Sequence, residues 1–181
     1  MALVTFLRGV NVGGHRTFRP SVLASQMKDY GVVNVGAAGT FVVCKRISQT
    51  RVRSELLRHL PFEPEIMMCT PRELITAATH NPFDGEPPRS DITRFVSVLA
   101  KSPKLLPSIP VRIPEHGKWL LRILARHDRF LFGVYRREMK AIACLGAIDK
   151  LFGAPATTRN WNTIQAILKV LENGCDEQYR K

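Results

Sequence analysis

Leu3-Val4-Thr5-Phe6-Leu7 runs directly into Arg8-Gly9-Val10-Asn11-Val12-Gly13-Gly14. The first five residues are apolar or β-branched without alternation, the pattern of a strand covered on both faces. Next comes a stretch with three glycines, an asparagine and an arginine, too irregular for a helix or a strand. Downstream, Pro20 suits a first helical position, Leu23, Met27 and Tyr30 make one apolar stripe, and Gly31 suits the stop. Val32–Val35 and Thr40–Cys44 read as short strands turned by Gly36-Ala37-Ala38-Gly39. Ser48 can cap a helix with Val52, Leu56, Leu57 and Leu60 inward and Arg51, Arg53 and Arg58 outward. Glu65–Cys69 is another strand, and Thr70-Pro71-Arg72-Glu73 is a capping box opening a helix to about Thr79. The order strand, helix, strand, strand, helix, strand predicts a ferredoxin-like βαββαβ unit.

Residues 81–91 read as a linker, rich in proline and turn formers. Beyond it the order returns. Thr93–Ala100 is a strand, and the proline-punctuated stretch 103–114 replaces the first helix with something short. Trp119–Ala125 and Phe130–Tyr135 form a hairpin about Arg126–Arg129, with Trp119–Ala125 apolar enough to be a central strand. Met139–Phe152 is a helix weakened by Gly146. Ala156–Arg159 is a strand, and Trp161, Ile164, Ile167, Leu168 and Leu171 stripe a last helix. The expected fold is therefore α+β: a duplication of two ferredoxin-like subdomains with antiparallel sheets, residues 1–80 and 92–181, packed as one unit. No strict repeat underlies it, which excludes a solenoid.

Length and composition suit this expectation. The chain has 181 residues, 45% apolar and 23% charged, ordinary for a globular protein. No apolar run reaches transmembrane length, and the first is too short for a signal peptide, so the expected location is the cytoplasm with no membrane partner. Cys44, Cys69, Cys144 and Cys175 form no C-x-x-C pair and have no histidine at metal-ligand spacing. Free, mostly buried thiols are expected, with a disulfide or a zinc site as the alternatives.

Charge is the strong deviation: 27 Lys and Arg against 15 Asp and Glu, a net +12. Residues 1–60 hold nine basic and two acidic groups, and residues 101–146 hold ten and three. Such a field attracts RNA or DNA, acidic proteins or anionic small molecules, unless it is only a solvated surface. Arg51, Arg53 and Arg58 are the phosphate-contacting candidates. Phe6, Phe41, Phe130, Phe132 and Tyr135 could stack bases if a sheet face were open, and otherwise form core. The signature of an RNA-recognition motif is missing.

The loop after the first strand is the other candidate. Gly9, Gly13 and Gly14 permit positive φ and close approach of backbone N–H groups to an anion. Arg8 adds a guanidinium fork, and Asn11 can donate and accept. Equally, the glycines can serve a tight crossing and Asn11 can satisfy backbone groups. Arg159 and Asn160, beside Trp161 at the last helix, offer a second anion site or simply a cap and a core edge. If the halves pack about a pseudo-twofold, Arg8 and Arg159 form one cleft. Paired carboxylates and nucleophile motifs are absent, so neither a reaction nor a cofactor is assigned, and only His15 is a candidate acid or base.

Leu7-Arg8-Gly9-Val10-Asn11-Val12-Gly13-Gly14 resembles the signature of the domain of unknown function 1697 family, usually L-L-R-G-I-N-V-G-G. Pro155-Ala156-Thr157-Thr158-Arg159-Asn160-Trp161 resembles the family's P-A-T-T-R-N-W, and Asn81-Pro82-Phe83 is a third match. The resemblance implies an α+β fold of two ferredoxin-like subdomains and no defined activity. Two stretches depart from it. Q-S-G-N before the third strand is here Ala37-Ala38-Gly39-Thr40, and a stretch near G-x-S-K-L is here Lys140–Leu145.

Overall fold

A computed structural model of the chain describes residues 2–80, 82–173 and 175. The chain divides into two units: residues up to Ile75 together with those from Asn162 onward, and Thr76–Trp161. The first unit is thus discontinuous in sequence. The sequence pattern puts the last helix in the second half and makes 81–91 a linker. By contacts, the helix belongs with the first unit and the linker stretch with the second.

In the first unit β1 (Leu3–Arg8), β2 (Val32–Asn34), β3 (Thr40–Val43) and β4 (Glu65–Cys69) make one antiparallel sheet in the order β2-β3-β1-β4. Leu3 to Leu7 are all buried, so the missing alternation in this strand has the expected cause. One face, with Leu3, Leu7, Phe41, Val43, Ile66 and Met68, packs with Leu23 of α1 (Pro20–Gln26), with Met27 just beyond it, and with Val52 and Leu56 of α2 (Gln49–His59). Pro20 opens α1, and a 3-10 turn over Lys28–Tyr30 ends on Gly31 at φ 63°. The Ser48 hydroxyl accepts the Arg51 N–H at 3.2 Å and caps α2. Thr70 and Glu73 bond reciprocally at the start of α3 (Pro71–Ala78), as the capping box requires.

In the second unit β5 (Ile92–Leu99), β6 (Val111–Ile113), β7 (Leu121–His127), β8 (Phe130–Arg136) and β9 (Ala156–Asn160) make an antiparallel sheet in the order β6-β7-β8-β5-β9. β7 is an interior strand, and the turn after it is tighter than the sequence suggests: Asp128, at φ 52°, and Arg129 alone lie between the strands. β6 has no counterpart in the sequence reading, because three residues between prolines are too few to show a period. The expected helix 139–152 is two short helices, α4 (Met139–Cys144) and α5 (Ala147–Phe152), separated at Leu145 and Gly146. Ile148 and Phe152 of α5 pack with Phe95, Leu99, Leu121, Ile123 and Leu131 of the sheet. α6 (Trp161–Asn173) follows β9 and buries Ile164 and Ile167.

The fold is thus α+β with a four-stranded and a five-stranded antiparallel sheet. The cysteines correct the sequence reading. Cys69, which is buried, and Cys144 are in no disulfide, but Cys44 and Cys175 are joined in one at a sequence separation of 131. Spacing in sequence could not reveal this pair, because only the return of α6 to the first unit brings it together.

Candidate functional site

After β1 the backbone turns through an unusual run of left-handed residues. Gly9, Asn11, Gly13, Gly14 and Arg16 have φ of 64°, 55°, 58°, 76° and 48°. The Asn11 N–H donates to the Arg16 carbonyl at 3.2 Å and the His15 N–H to the Val12 carbonyl at 3.0 Å, closing a small hairpin. Asn11 holds this hairpin down. Its amide donates to the Ala37 carbonyl at 2.9 Å, and its side-chain oxygen accepts the Phe18 N–H at 2.9 Å. Asn11 is therefore a structural brace between two loops.

Gly39, in the second loop, is confined on two counts. Its φ is +70°, and a Cβ there would lie 2.7 Å from Val10 Cγ2 and 2.9 Å from Leu7 Cβ. Over Gly9 and Gly14, by contrast, a Cβ would meet nothing within 4 Å. The tip of the hairpin is open. Val12 is 67% exposed, and His15, Arg16 and Arg19 are exposed beside it. The stretch Ala37–Thr40 begins at the brace, next to this loop.

The cations divide into committed and uncommitted ones. Arg8, the last residue of β1, faces Glu65 of β4 across the sheet, with Nη1 3.1 and 3.3 Å from the two carboxylate oxygens. Arg51 and Arg58 flank Glu55 at 2.9 and 3.0 Å, and that carboxylate is only 3% exposed. The Tyr30 hydroxyl, first, and Glu55 hold the Arg51 guanidinium above its ordinary pKa. Arg53 donates to the Ile66 carbonyl at 3.0 Å. Arg16 and Arg19 make no ion pair or side-chain hydrogen bond among the described residues. Sequence reasoning passed over these two, although a signal was present: the first acidic residue in the chain is Asp29.

The second candidate motif is built differently. Arg159 lies on the face of β9 shared with Thr157 and is 6% exposed. Its Nη1 donates to Thr157 Oγ1 at 2.9 Å and to the Thr158 carbonyl at 2.8 Å. Burial pushes its pKa down to about 10 because the charged form is poorly solvated there. The Thr158 hydroxyl meets that of Ser97 at 2.6 Å. Trp161 packs edge-on against Phe83 and Phe132, with ring centroids 5.0 and 6.4 Å away. Asn160 is exposed at the end of β9. Arg159 and Trp161 are thus parts of a packed sheet edge. Arg8 and Arg159 fall in different units, and both are engaged as described. Asn81 of the third motif lies outside the described residues.

Arginines elsewhere in the second unit are also engaged. Arg122 and Arg136 each place a guanidinium over the Trp119 ring, 4.7 and 4.3 Å from its centre. Arg122 pairs with Glu86, and Asp91 pairs with Arg136 at 3.4 Å and Arg89 at 2.7 Å. Phe6, Phe41, Phe130 and Phe132 are all core residues, and Tyr135 is half-buried against Phe95. Among the described residues no group of three His, Cys, Asp or Glu is placed to hold a metal ion, and no helix is long and apolar enough to cross a membrane.

Comparison with curated proteins returns no match. Among solved structures the chain is similar in fold to the conserved bacterial protein SP0830 from Streptococcus pneumoniae, with 12% sequence identity and a TM-score of 0.59 over 94% of this chain and 98% of that one. A family model described as "Protein of unknown function (DUF1697)" matches residues 1–110. With more than half its length covered by that model, the chain belongs to the DUF1697 family.

Proposed function

We propose that this chain binds an anionic partner, nucleic acid foremost, through the hairpin that follows β1. The observation that carries this is the pair of exposed, uncommitted arginines, Arg16 and Arg19, on a loop in a stretch free of acidic residues up to Asp29. Around this loop the chain is strongly basic, and α2 adds Arg51 and Arg58, two cations sharing one carboxylate. Burial of the strand phenylalanines argues against base stacking on a sheet. Recognition on this reading is therefore electrostatic and largely independent of sequence. The strands of both sheets follow the same spatial order once β6 is set aside. On that ground we read the chain as two ferredoxin-like units, the second lacking the first helix. A cytoplasmic location is our reading of the sequence, whose apolar runs are all short.

Fluorescence anisotropy with a labelled single-stranded RNA at a series of salt concentrations tests the proposal. Binding should weaken steeply with salt, and R16A/R19A should lower the log–log salt slope by about 1.4. Absence of binding at low salt ends the reading. The open space above Gly9 and Gly14 favours a second reading, an enzyme or sensor for a phosphorylated small molecule or nucleotide at the same loop. It requires a thermal shift with such compounds that Arg16→Ala removes. If neither ligand class binds, a ligand-free interaction module is left.

A further inference from the structure

The first unit is made of two separated stretches of chain, and one covalent bond joins them. Cys44 directly follows β3, and its N–H donates to the Gly31 carbonyl at 3.1 Å. Cys175 lies two residues beyond α6, the helix that brings the chain back after the whole second unit. Their Cα atoms are 4.9 Å apart in the disulfide, within the span such a bond needs. Both residues are partly exposed, as is Cys144, whose Sγ donates to the Lys140 carbonyl at 3.2 Å, whereas Cys69 is buried. The chain therefore contains two kinds of cysteine: one pair open to small thiols, and two single thiols.

We propose that Cys44 and Cys175 are a redox-modification site, a reversible latch that ties the returning helix α6 to the end of β3. The co-reactant is a low-molecular-weight disulfide of the oxidised-glutathione class. One protein thiolate attacks a sulfur of that disulfide, forming a mixed disulfide and releasing one small thiolate. The second protein thiolate attacks the protein-side sulfur, forming Cys44–Cys175 and releasing the second. Two protein thiols lose two protons and two electrons, and one small disulfide becomes two thiols; an excess of small thiol reverses the exchange. Accessibility is what makes the bond reversible. Closing a ring of 131 residues restricts the unfolded chain strongly, so the latched form is the more stable. This proposal does not depend on the anion-binding reading, and its test involves no ligand.

The full-length chain is incubated with oxidised or reduced glutathione, alkylated and mapped as non-reduced peptides, and its thermal midpoint is recorded in each state. Oxidation should yield a Cys44–Cys175 cross-linked peptide, with buried Cys69 still alkylatable after unfolding and Cys144, partly exposed and without a second thiol, in no cross-link. The midpoint should rise by about 5–10 °C and fall back when reduced glutathione is added. In Cys175→Ser the rise should vanish, with glutathione retained on Cys44. The proposal is overturned if Cys44 and Cys175 both alkylate after oxidation, or if the wild-type midpoint is the same in both redox states. A bond that forms but cannot be reduced in the folded chain overturns its reversibility.

Discussion

The loop after β1 and the end of β9 look alike in sequence and are opposites in space. Each presents an arginine close to an asparagine at the end of a strand. In the first, Arg8 pairs with Glu65 in the open, Asn11 braces two loops, and the uncommitted charge lies further on, at Arg16 and Arg19. In the second, Arg159 is drawn into the sheet and bonded to Thr157 and Thr158. A sequence motif thus fixes where a guanidinium begins, and its neighbours in space decide whether it is a strut, an ion pair or a free charge. For Arg159 desolvation is the dominant influence; Arg8 keeps contact with water, and its pair with Glu65 is worth little.

The largest test of the contrast is in the bed of the loop. Gly39→Ala adds a Cβ at positive φ against Val10 and Leu7 and should destabilise the chain by about 2–4 kcal/mol. Gly14→Ala meets open space, so only its backbone conformation counts, about 1 kcal/mol. Equal midpoints in urea for the two variants would refute the close approach.

Next in size is the arginine comparison itself. Arg159→Ala should cost about 2–3 kcal/mol from lost packing and unmet hydrogen bonds, and Arg8→Ala less than about 1 kcal/mol. Arg8 as the costlier of the two in denaturant titrations would reverse the roles assigned to them.

The smallest effect is expected with acid. The hydrogen bond from Arg89, then the charges of Arg89 and Arg136, hold the Asp91 carboxyl below its ordinary 3.8. A carboxyl depressed by folding stabilises above its unfolded pKa and loses that contribution as pH falls through the folded value. The acid limb of thermal midpoint against pH should therefore be shallower in Asp91→Asn, with no difference at neutral pH beyond loss of the pair. A difference that grows above pH 5 instead would contradict this origin.

Several elements were legible because the signal was local. Pro20 and Gly31 bracket the first helical segment, Ser48 caps α2, and Thr70 with Glu73 builds the capping box. Gly146 marked the weak point where the expected long helix divides. β6 was hidden because its pairing with β7, not its own composition, makes it a strand. Glu55 was hidden too: an acid on a basic helix reads as solvated, yet it is buried between Arg51 and Arg58. The site was read in part. The glycine loop stands out in the sequence, but its own arginine, Arg8, is held by Glu65, whereas Arg16 and Arg19 make no ion pair among the described residues.

The sequence by itself determined the family, the basic charge and the order of helices and strands, because each is a property of neighbouring residues or of their sum. Tertiary structure alone decided which charges are neutralised, which unit receives α6, and which cysteines meet. Those depend on groups far apart in the chain, Arg8 with Glu65 or Cys44 with Cys175, and on how much water the fold leaves around them.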